Sequence, residues 1–213
     1  MIDKLKNKIS TDISGFLFSK LRNKRLKIYS FISSKICYLI FFLKKIKLGN
    51  KCTFYGIPIL NRAYNSKITI GSKCTFRSDK SSNLIGLNRK CIISTFGEGT
   101  KISIGNNVGF SGTVIGAANS ITIGDNVLSG ANVLITDFDW HPINPKKRHT
   151  NEGVKNAPVI IGNNVWLGIN SVILKGVTIG DNSVIGANSL VVKNIPANVI
   201  AGGNPCKVIK ELC

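Results

Sequence analysis

The chain has 213 residues, and 43% of them are hydrophobic, which is enough for one substantial packed domain with a smaller appendage. Its 29 Lys and Arg residues outnumber 10 Asp and Glu and give a formal net charge of +19, which favours anionic partners such as phosphorylated cofactors, lipid headgroups or nucleic acid. Six cysteines without a CxxC pair, and lysines where the apolar region of a secretory signal would begin, argue against a disulfide framework and favour reduced thiols in a cytoplasmic protein.

Residues 1–47 predict a basic amphipathic helical leader, in which a dozen Lys and Arg residues recur between aromatic and aliphatic side chains. The apolar run 31–43 contains Lys35 and is only 13 residues long, so it is too short to span a bilayer. Such a helix suits contact with an anionic lipid surface, and packing on the first coil or at an oligomer axis is the alternative. Nucleic-acid binding is disfavoured because no recognisable binding module accompanies the charge.

A repeat of six residues runs through the second half of the chain. From Ile161 the sequence divides into IGNNVW, LGINSV, ILKGVT, IGDNSV and IGANSL, and copies of the same phrase begin at Ile104 and Ile123, with weaker copies at Ile70 and Leu48. A period of six is neither helical nor a plain alternating strand, and it predicts short strands joined by tight Gly-Asn and Gly-Asp turns. Three such strands make a triangular coil of 18 residues, and coils stack at about 4.8 Å. An ordinary sandwich of antiparallel strands is disfavoured because it would not keep five hexads in phase.

One interruption of this pattern is long and polar. Ile123, Ser129 and Ile135 open three hexads of one coil, but the next start in phase is Ile161. Residues 141–160 therefore predict a loop that leaves a corner of the solenoid, where functional residues tend to lie.

Several of these phrases, in this order, are typical of one protein family. ITIGDNV, a His-Pro pair in a loop, PVIIGNNVWLG, GVTIGDNSVIGANSLV and AGGNPCKVIKEL follow one another over about residues 100–210. The chain thereby resembles the hexapeptide-repeat acyltransferases, in the branch of galactoside, maltose and polysaccharide O-acetyltransferases. The resemblance implies an all-β solenoid, a left-handed parallel β-helix over residues 48–213, with a short N-terminal helical segment. It also implies acetyl-CoA as co-substrate and a homotrimer with active sites between subunits.

The resemblance assigns roles to individual residues. The family's catalytic histidine corresponds to His141, and the tryptophan that helps to wall the active site corresponds to Trp166. An Asn and an Asp that contact the acceptor in the sugar acetyltransferases correspond to Phe110 and Ala118, so the acceptor need not be a simple galactoside or maltose. The residues expected near coenzyme A, with two or three lysines near its phosphates, are Gly168, Ile169, Ala187, Val192, Lys193, Lys207 and Lys210.

The chemistry of the loop residues supports the same site. A neutral imidazole within about 3 Å of a sugar hydroxyl can take its proton during attack on a thioester. Asp137 and Asp139 could orient that imidazole, bind acceptor hydroxyls or cap a turn, and Trp140 and Trp166 could stack on a sugar face or pack within the protein. His149 stands in a Lys/Arg run and is interpreted as a solvated residue. With two histidines per chain, a three-histidine zinc site is not expected, and no metal is predicted.

The sequence therefore predicts an acetyl-CoA-dependent O-acetyltransferase acting on a sugar hydroxyl, in cell-surface polysaccharide biosynthesis. The expected acceptor is a sugar or a lipid-linked saccharide, and the expected location is cytoplasmic, at the inner face of the membrane. A serine acetyltransferase, a sugar N-acetyltransferase and a non-catalytic β-helix scaffold are the alternatives.

Overall fold

Three parallel sheets form the faces of a triangular prism in the computed structural model, which describes residues 11–150 and 152–212. The chain visits the first, second and third sheets in turn and then returns to the first, so each strand pairs with the strand one coil later. The predicted left-handed β-helix is confirmed. This handedness is the exception to the right-handed rule for parallel crossovers.

Each complete coil contributes one short strand to each sheet. The first sheet contains β1 (Lys47–Leu48), β4 (Lys67–Ile70), β7 (Lys101–Ile104), β10 (Ser120–Ile123), β13 (Val159–Ile161) and β16 (Thr178–Ile179). The second sheet contains β2 (Thr53–Tyr55), β5 (Thr75–Arg77), β8 (Gly109–Ser111), β11 (Leu128–Ala131), β14 (Trp166–Leu167), β17 (Val184–Ile185), β19 (Val199–Gly202) and β20 (Lys207–Glu211). The third sheet contains β3 (Ile59–Asn61), β6 (Ile92–Thr95), β9 (Val114–Ala117), β12 (Leu134–Thr136), β15 (Val172–Ile173) and β18 (Leu190–Val191). The last strand, β20, folds back antiparallel to β19.

The interior of the prism is filled differently at its two ends. In the later coils small and branched aliphatic side chains stack, such as Ile161 on Ile179. In the first three coils Phe54, Phe76 and Phe110 stack on one another with ring centroids 4.8 and 5.2 Å apart, and Phe41 from the helix caps them. These large rings occupy inward positions, which is why the hexapeptide pattern is weak there.

The corner between the first and second sheets is a ladder of turns. Five asparagines with positive φ define this asparagine corner: Asn107, Asn126, Asn164, Asn182 and Asn198. Each donates its side-chain N–H to the amide oxygen of the next, over 2.7 to 3.1 Å. Asparagine tolerates positive φ at low cost, and the stacked amides satisfy one another.

The corner between the third and first sheets is irregular. This loop corner consists of residues 96–100, 118–119, 137–158 and 174–177, and the long excursion from it is 137–158 rather than the predicted 141–160. The backbone explains the shift, because Phe138 and Asn156 already form a bridge and β13 begins at Val159. A second excursion, residues 78–91 between β5 and β6, was not predicted by the repeat. Short 3-10 helices lie at Lys80–Ser82 and Pro145–Lys147.

Helix α1 (Ile13–Leu43) precedes the solenoid and packs on its first coil. The Asp12 side chain caps its first turn by accepting a hydrogen bond from the Gly15 N–H over 2.9 Å. By length and composition alone α1 could cross a membrane, which the 13-residue apolar run by itself could not. The cysteines of the described residues are buried free thiols: Cys37, Cys52, Cys74, Cys91 and Cys206.

Candidate active site

A cavity of about 530 Å³ opens at the loop corner. Its lining comes from three successive coils and from the far limb of the loop. The lining residues are Phe96, Ala118, Phe138, Trp140, His141, Val154 and Asn156. Two of the predicted site residues, Trp140 and His141, therefore share one cavity.

Three aromatic rings form one wall of this cavity. The ring of Trp140 lies 4.7 Å from that of Phe138 and 5.1 Å from that of Phe96, measured between centroids. Its edge also rests on Gly116, where a Cβ would come within 3.1 Å of the ring, so only glycine fits under it without displacement. Trp140 nevertheless remains 46% exposed, so the packed aromatic wall is open to a ligand.

The coil register explains why these rings meet. Ile93, Ile115 and Ile135 pair across β6, β9 and β12, and Phe96, Ala118 and Phe138 each come three residues later. The repeat therefore stacks a corner residue from three consecutive coils. Four lining residues were not among the predicted site residues: Phe96, Phe138, Val154 and Asn156. The two phenylalanines could have been found in the sequence, because each comes three residues after an inward-pointing isoleucine.

Asp137 is buried next to the cavity and holds a turn, which agrees with the turn-capping alternative among its predicted roles. Its carboxylate accepts hydrogen bonds from the backbone N–H groups of Ala118 and Asn119 over 2.6 and 2.9 Å. Burial raises the pKa of this carboxyl, and the backbone donors act in the opposite direction. Asp137 thus fixes the turn that carries Ala118 into the cavity wall.

Asp139 is partly buried at the start of the loop and forms an ion pair with Lys175, a residue that the sequence did not indicate. Its backbone N–H donates to the Lys155 carbonyl over 2.9 Å, which joins the two limbs of the loop. Its second carboxylate oxygen, Oδ2, is buried without a hydrogen-bond partner within residues 11–150 and 152–212.

The two histidines lie in the same loop but in different surroundings. His141 is exposed and lines the cavity. His149 is also exposed, but it is not among the residues that line the cavity.

Trp166 and most of the predicted coenzyme A residues lie elsewhere on the prism. Trp166 is in β14 of the second sheet, 55% exposed, between Leu128 and Val184 on the neighbouring strands. Gly168, Ile169 and Ala187 follow at the corner between the second and third sheets, where a Cβ on Gly168 would come 2.6 Å from the Ala187 nitrogen.

The remaining predicted coenzyme A residues occupy two further places. Val192 and Lys193 are exposed just after β18, at the edge of the prism that also carries the loop corner. Lys207 and Lys210 are exposed in β20. One chain thus does not bring Trp166 and the second-sheet residues to the cavity that contains His141.

The two positions that correspond to the family's acceptor contacts also separate. Ala118 lines the cavity, whereas Phe110 is buried in the aromatic stack of the first coils. Phe110 is therefore a core residue. Within the described ranges, no three His, Cys, Asp or Glu side chains are grouped closely enough to hold a metal ion.

Comparison with known proteins identifies the repeat. The family model described as bacterial transferase hexapeptide (six repeats) matches residues 158–193. This part of the chain is thus similar to the hexapeptide repeats of bacterial transferases. The resemblance to the hexapeptide-repeat acyltransferases that the motifs predict is confirmed.

Among its curated relatives, the protein is 48% identical over 119 residues to the galactoside O-acetyltransferase of Escherichia coli (strain K12), and the alignment covers 55% of this chain and 57% of the relative. The alignments span about half the length of the curated relatives that it matches. Among solved structures, it is 28% identical to a maltose O-acetyltransferase from Clostridium difficile 630, with a TM-score of 0.50 and 88% of each chain covered.

A third likeness concerns the fold alone. The N-acyltransferase AntD from Bacillus cereus, in complex with dTDP and coenzyme A, is 20% identical with a TM-score of 0.60, over 81% of this chain and 88% of that chain.

Proposed function

We propose that the protein is an acetyl-CoA-dependent O-acetyltransferase that acts on a sugar hydroxyl. The observation that carries the proposal is an exposed histidine, His141, in a cavity walled by Phe96, Phe138 and Trp140, in a chain 48% identical over 119 residues to a galactoside O-acetyltransferase. The structural likeness to a maltose O-acetyltransferase supports the same class of reaction.

The chemistry assigned to His141 is general base catalysis. Its imidazole takes the proton of the acceptor hydroxyl as the oxygen attacks the thioester carbonyl of acetyl-CoA. The C–S bond then breaks, and the proton passes to the departing thiolate, so the products are the acetyl ester and free coenzyme A. A base in this position contributes roughly 10²–10⁴-fold to the rate.

The cavity wall supports a sugar as the acceptor. A flat aromatic surface matches the C–H face of a pyranose ring, and the Asn156 side chain supplies a polar partner for a hydroxyl. Ala118 replaces the acidic residue that contacts the acceptor in the sugar acetyltransferases. We therefore expect an acceptor other than a simple galactoside or maltose, such as a sugar of a cell-surface polysaccharide or its lipid-linked precursor.

A second copy of the chain would complete this site. Trp166, Gly168, Ile169 and Ala187 lie on other faces of the prism than His141, so one chain offers the donor residues and the base at separate places. A homotrimer in which one protomer's Trp166 faces its partner's loop corner would join them. Lys193, Lys207 and Lys210 then remain as partners for the phosphates of acetyl-CoA.

Thiol release with acetyl-CoA and a panel of sugars, amino sugars and serine tests the proposal. We expect hydroxyl acceptors to be used and His141→Ala to lower kcat by about 10²–10⁴-fold while leaving the fold intact. His149→Ala is the matched control, because it removes the other exposed histidine of the same loop, and it should retain full activity.

Each contrary outcome has a specific meaning. Full activity of folded His141→Ala would remove this residue from the mechanism. Release only with amines or serine would favour the N-acetyltransferase or serine acetyltransferase alternative. Absence of release with every acceptor would favour a non-catalytic scaffold.

A further inference from the structure

Helix α1 exposes most of its large apolar side chains on the side away from the solenoid. The residues that it buries against the solenoid include two serines, Ser30 and Ser33, together with Cys37 and Phe41. Large apolar side chains are exposed along its other side. They are Leu17, Phe18, Leu21, Ile28, Ile32, Ile36, Leu39, Phe42 and Leu43. At 3.6 residues per turn these nine positions lie on the half of α1 opposite the buried residues and form what we call the outward face.

The buried polar residues have a clear role. The β2 strand is the open edge of the second sheet, and the Ser34 and Ser33 hydroxyls accept hydrogen bonds from the N–H groups of Phe54 and Gly56 over 2.9 and 3.4 Å. The Tyr38 hydroxyl donates to the Gly49 carbonyl and accepts from an N–H group of the same turn. The inward side of α1 therefore covers a sheet edge, and its apolar outward face is not explained by this packing.

The charge on α1 is of one sign. No Asp or Glu occurs between residues 13 and 43. At 3.6 residues per turn Lys24, Arg25 and Lys35 lie among the apolar side chains of the outward face, and basic residues recur along the whole helix. These are Lys20, Arg22, Lys24, Arg25, Lys27 and Lys35. Aromatic and aliphatic side chains flanked by lysines match a surface that is apolar below and anionic above, which is the structure of an acidic lipid leaflet.

Contacts along the length of α1 determine how it would meet a bilayer. Its length and composition would allow it to span. Spanning would break the hydrogen bonds of Ser33, Ser34 and Tyr38 and that of the Arg22 guanidinium to the Ser81 carbonyl. It would also bring several basic side chains toward the bilayer core, where a charged group is strongly disfavoured. Lying flat keeps every one of these contacts.

We propose that the outward face of α1 binds the surface of an anionic membrane, with the helix lying in the plane of the interface. The acyl boundary receives side chains such as Leu39 and Phe42, and the headgroups receive Lys24 and Lys35. The solenoid remains on the aqueous side because it packs on the opposite face of α1.

Sedimentation of the full chain with unilamellar vesicles tests this proposal. One set contains phosphatidylglycerol and phosphatidylcholine, and the other contains phosphatidylcholine alone. We expect strong binding to the first set, weaker binding to the second, and a decrease with added salt that is not complete because apolar burial is not screened. Each basic residue near the surface accounts for roughly a fivefold factor in partitioning, so Lys24→Glu with Lys35→Glu should weaken binding at least about 25-fold.

Matched variants separate the two contributions. Leu39→Ser with Phe42→Ser should weaken binding about 100-fold on both kinds of vesicle, because two large side chains no longer leave water. The control for the serine pair is Leu84→Ser with Ile85→Ser, which removes two exposed apolar side chains from the second excursion. The control for the charge reversals is Lys67→Glu with Lys101→Glu, which reverses the charge of two exposed lysines in the first sheet. Neither control should change binding to vesicles. The substituted side chains of α1 and of the second excursion are exposed, so circular dichroism should report an unchanged fold. These six positions are Lys24, Lys35, Leu39, Phe42, Leu84 and Ile85.

Two results would overturn the proposal. One is a wild-type protein that does not sediment with anionic vesicles at low salt. The other is equal loss of binding in the α1 variants and their controls. The wild-type protein could fail to bind vesicles while Leu39→Ser with Phe42→Ser lowers the particle mass in light scattering. In that case the outward face binds a second copy of the chain instead of a membrane. Acetyl transfer to a soluble acceptor needs no membrane, so this test is independent of the proposed activity.

Discussion

The asparagine corner and the loop corner belong to the same coils but use their polar groups differently. At the asparagine corner each side-chain amide is bonded to the next, and the ladder repeats from Asn107 to Asn198 without an excursion. At the loop corner aromatic rings replace the amides and a long loop leaves the solenoid. There Oδ2 of Asp139 is buried with no hydrogen-bond partner among the described residues. The asparagine corner satisfies its own polar groups and builds the solenoid, whereas the loop corner leaves Trp140 and His141 exposed in a cavity where they can contact a ligand.

The largest expected difference in stability between the corners concerns two aspartates that accept hydrogen bonds from backbone N–H groups. Asp137 is buried, and Asp181 at the asparagine corner is exposed. Asp137→Ala removes a buried side chain and leaves the partly buried N–H groups of Ala118 and Asn119 without their acceptor, so we expect a loss of about 3 kcal/mol in unfolding free energy. Asp181→Ala should cost about 1 kcal/mol, because water replaces its hydrogen bond to Asn163.

Urea unfolding of both variants measures this difference. Equal losses would mean that the loop corner is held no more tightly than the exposed ladder. Loss of acetyl transfer in a folded Asp137→Ala protein would also be expected, because the turn at Ala118 would no longer be fixed.

The ladder itself is tested at Asn164, which has a φ of 57° and bonds to the asparagines above and below. Asn164→Ala removes both amide bonds and imposes the left-handed backbone on alanine, so we expect a loss of about 2–3 kcal/mol. Asn164→Gly keeps the backbone relaxed and should cost about 1 kcal/mol less. Identical denaturation midpoints of the two variants would show that backbone conformation does not matter at this position.

A smaller effect is expected from the two ion pairs of the loop. Lys175→Met leaves the partly buried Asp139 carboxylate unpaired, and we expect a loss of about 2 kcal/mol. Lys147→Met breaks the exposed pair with Glu152, whose nitrogen–oxygen distance is 2.5 Å, and should change stability by less than about 0.5 kcal/mol. Thermal unfolding of both proteins decides whether the pair nearer the cavity is the one that holds the loop.

The last prediction is a pH dependence, for which only a direction is expected. Burial raises the pKa of the Asp137 carboxyl above its value in an unfolded chain, so the folded state keeps the proton to a higher pH. This contribution to stability is complete below the unfolded pKa and is lost as pH rises through the folded pKa. Unfolding free energy should therefore fall over that window, and Asp137→Asn should flatten the curve; an unchanged curve in the variant would assign the dependence to another group.

The sequence predicts the regular coils better than the site. From Ile161 onward one small aliphatic side chain per hexad points inward, so the period is visible in the residues themselves. In the first coils Phe54, Phe76 and Phe110 take those inward positions and residues 78–91 are inserted, which hides the same period. The loop was predicted because it interrupts the six-residue repeat. Its start at Asp137 could not be predicted, because it depends on which backbone groups pair across the loop and not on the type of any one residue.

The site was predicted only as far as it is local in sequence. His141 and Trp140 belong to the loop and were found there. Phe96 and Lys175 come from other coils and lie beside the loop only because the coils stack. Predicting their contacts from the sequence would require the exact number of residues in each coil. Trp166 was placed with His141 by resemblance, and within one chain the two residues lie on different faces.

The coil spacing has a consequence for the reach of the cavity. Phe96, Ala118 and Phe138 come from the second, third and fourth coils counted from α1, and coils repeat at about 4.8 Å. The middle of the cavity is two coil steps from the first coil, and with the diameter of the helix added it is roughly 20 Å from the outward face of α1. On a membrane-bound molecule the solenoid would therefore hold the cavity at a fixed distance from the lipid surface. A saccharide anchored in the same leaflet would present a hydroxyl to His141 only after its chain had grown beyond the unit next to the lipid, whereas a freely diffusing acceptor would meet no such minimum length.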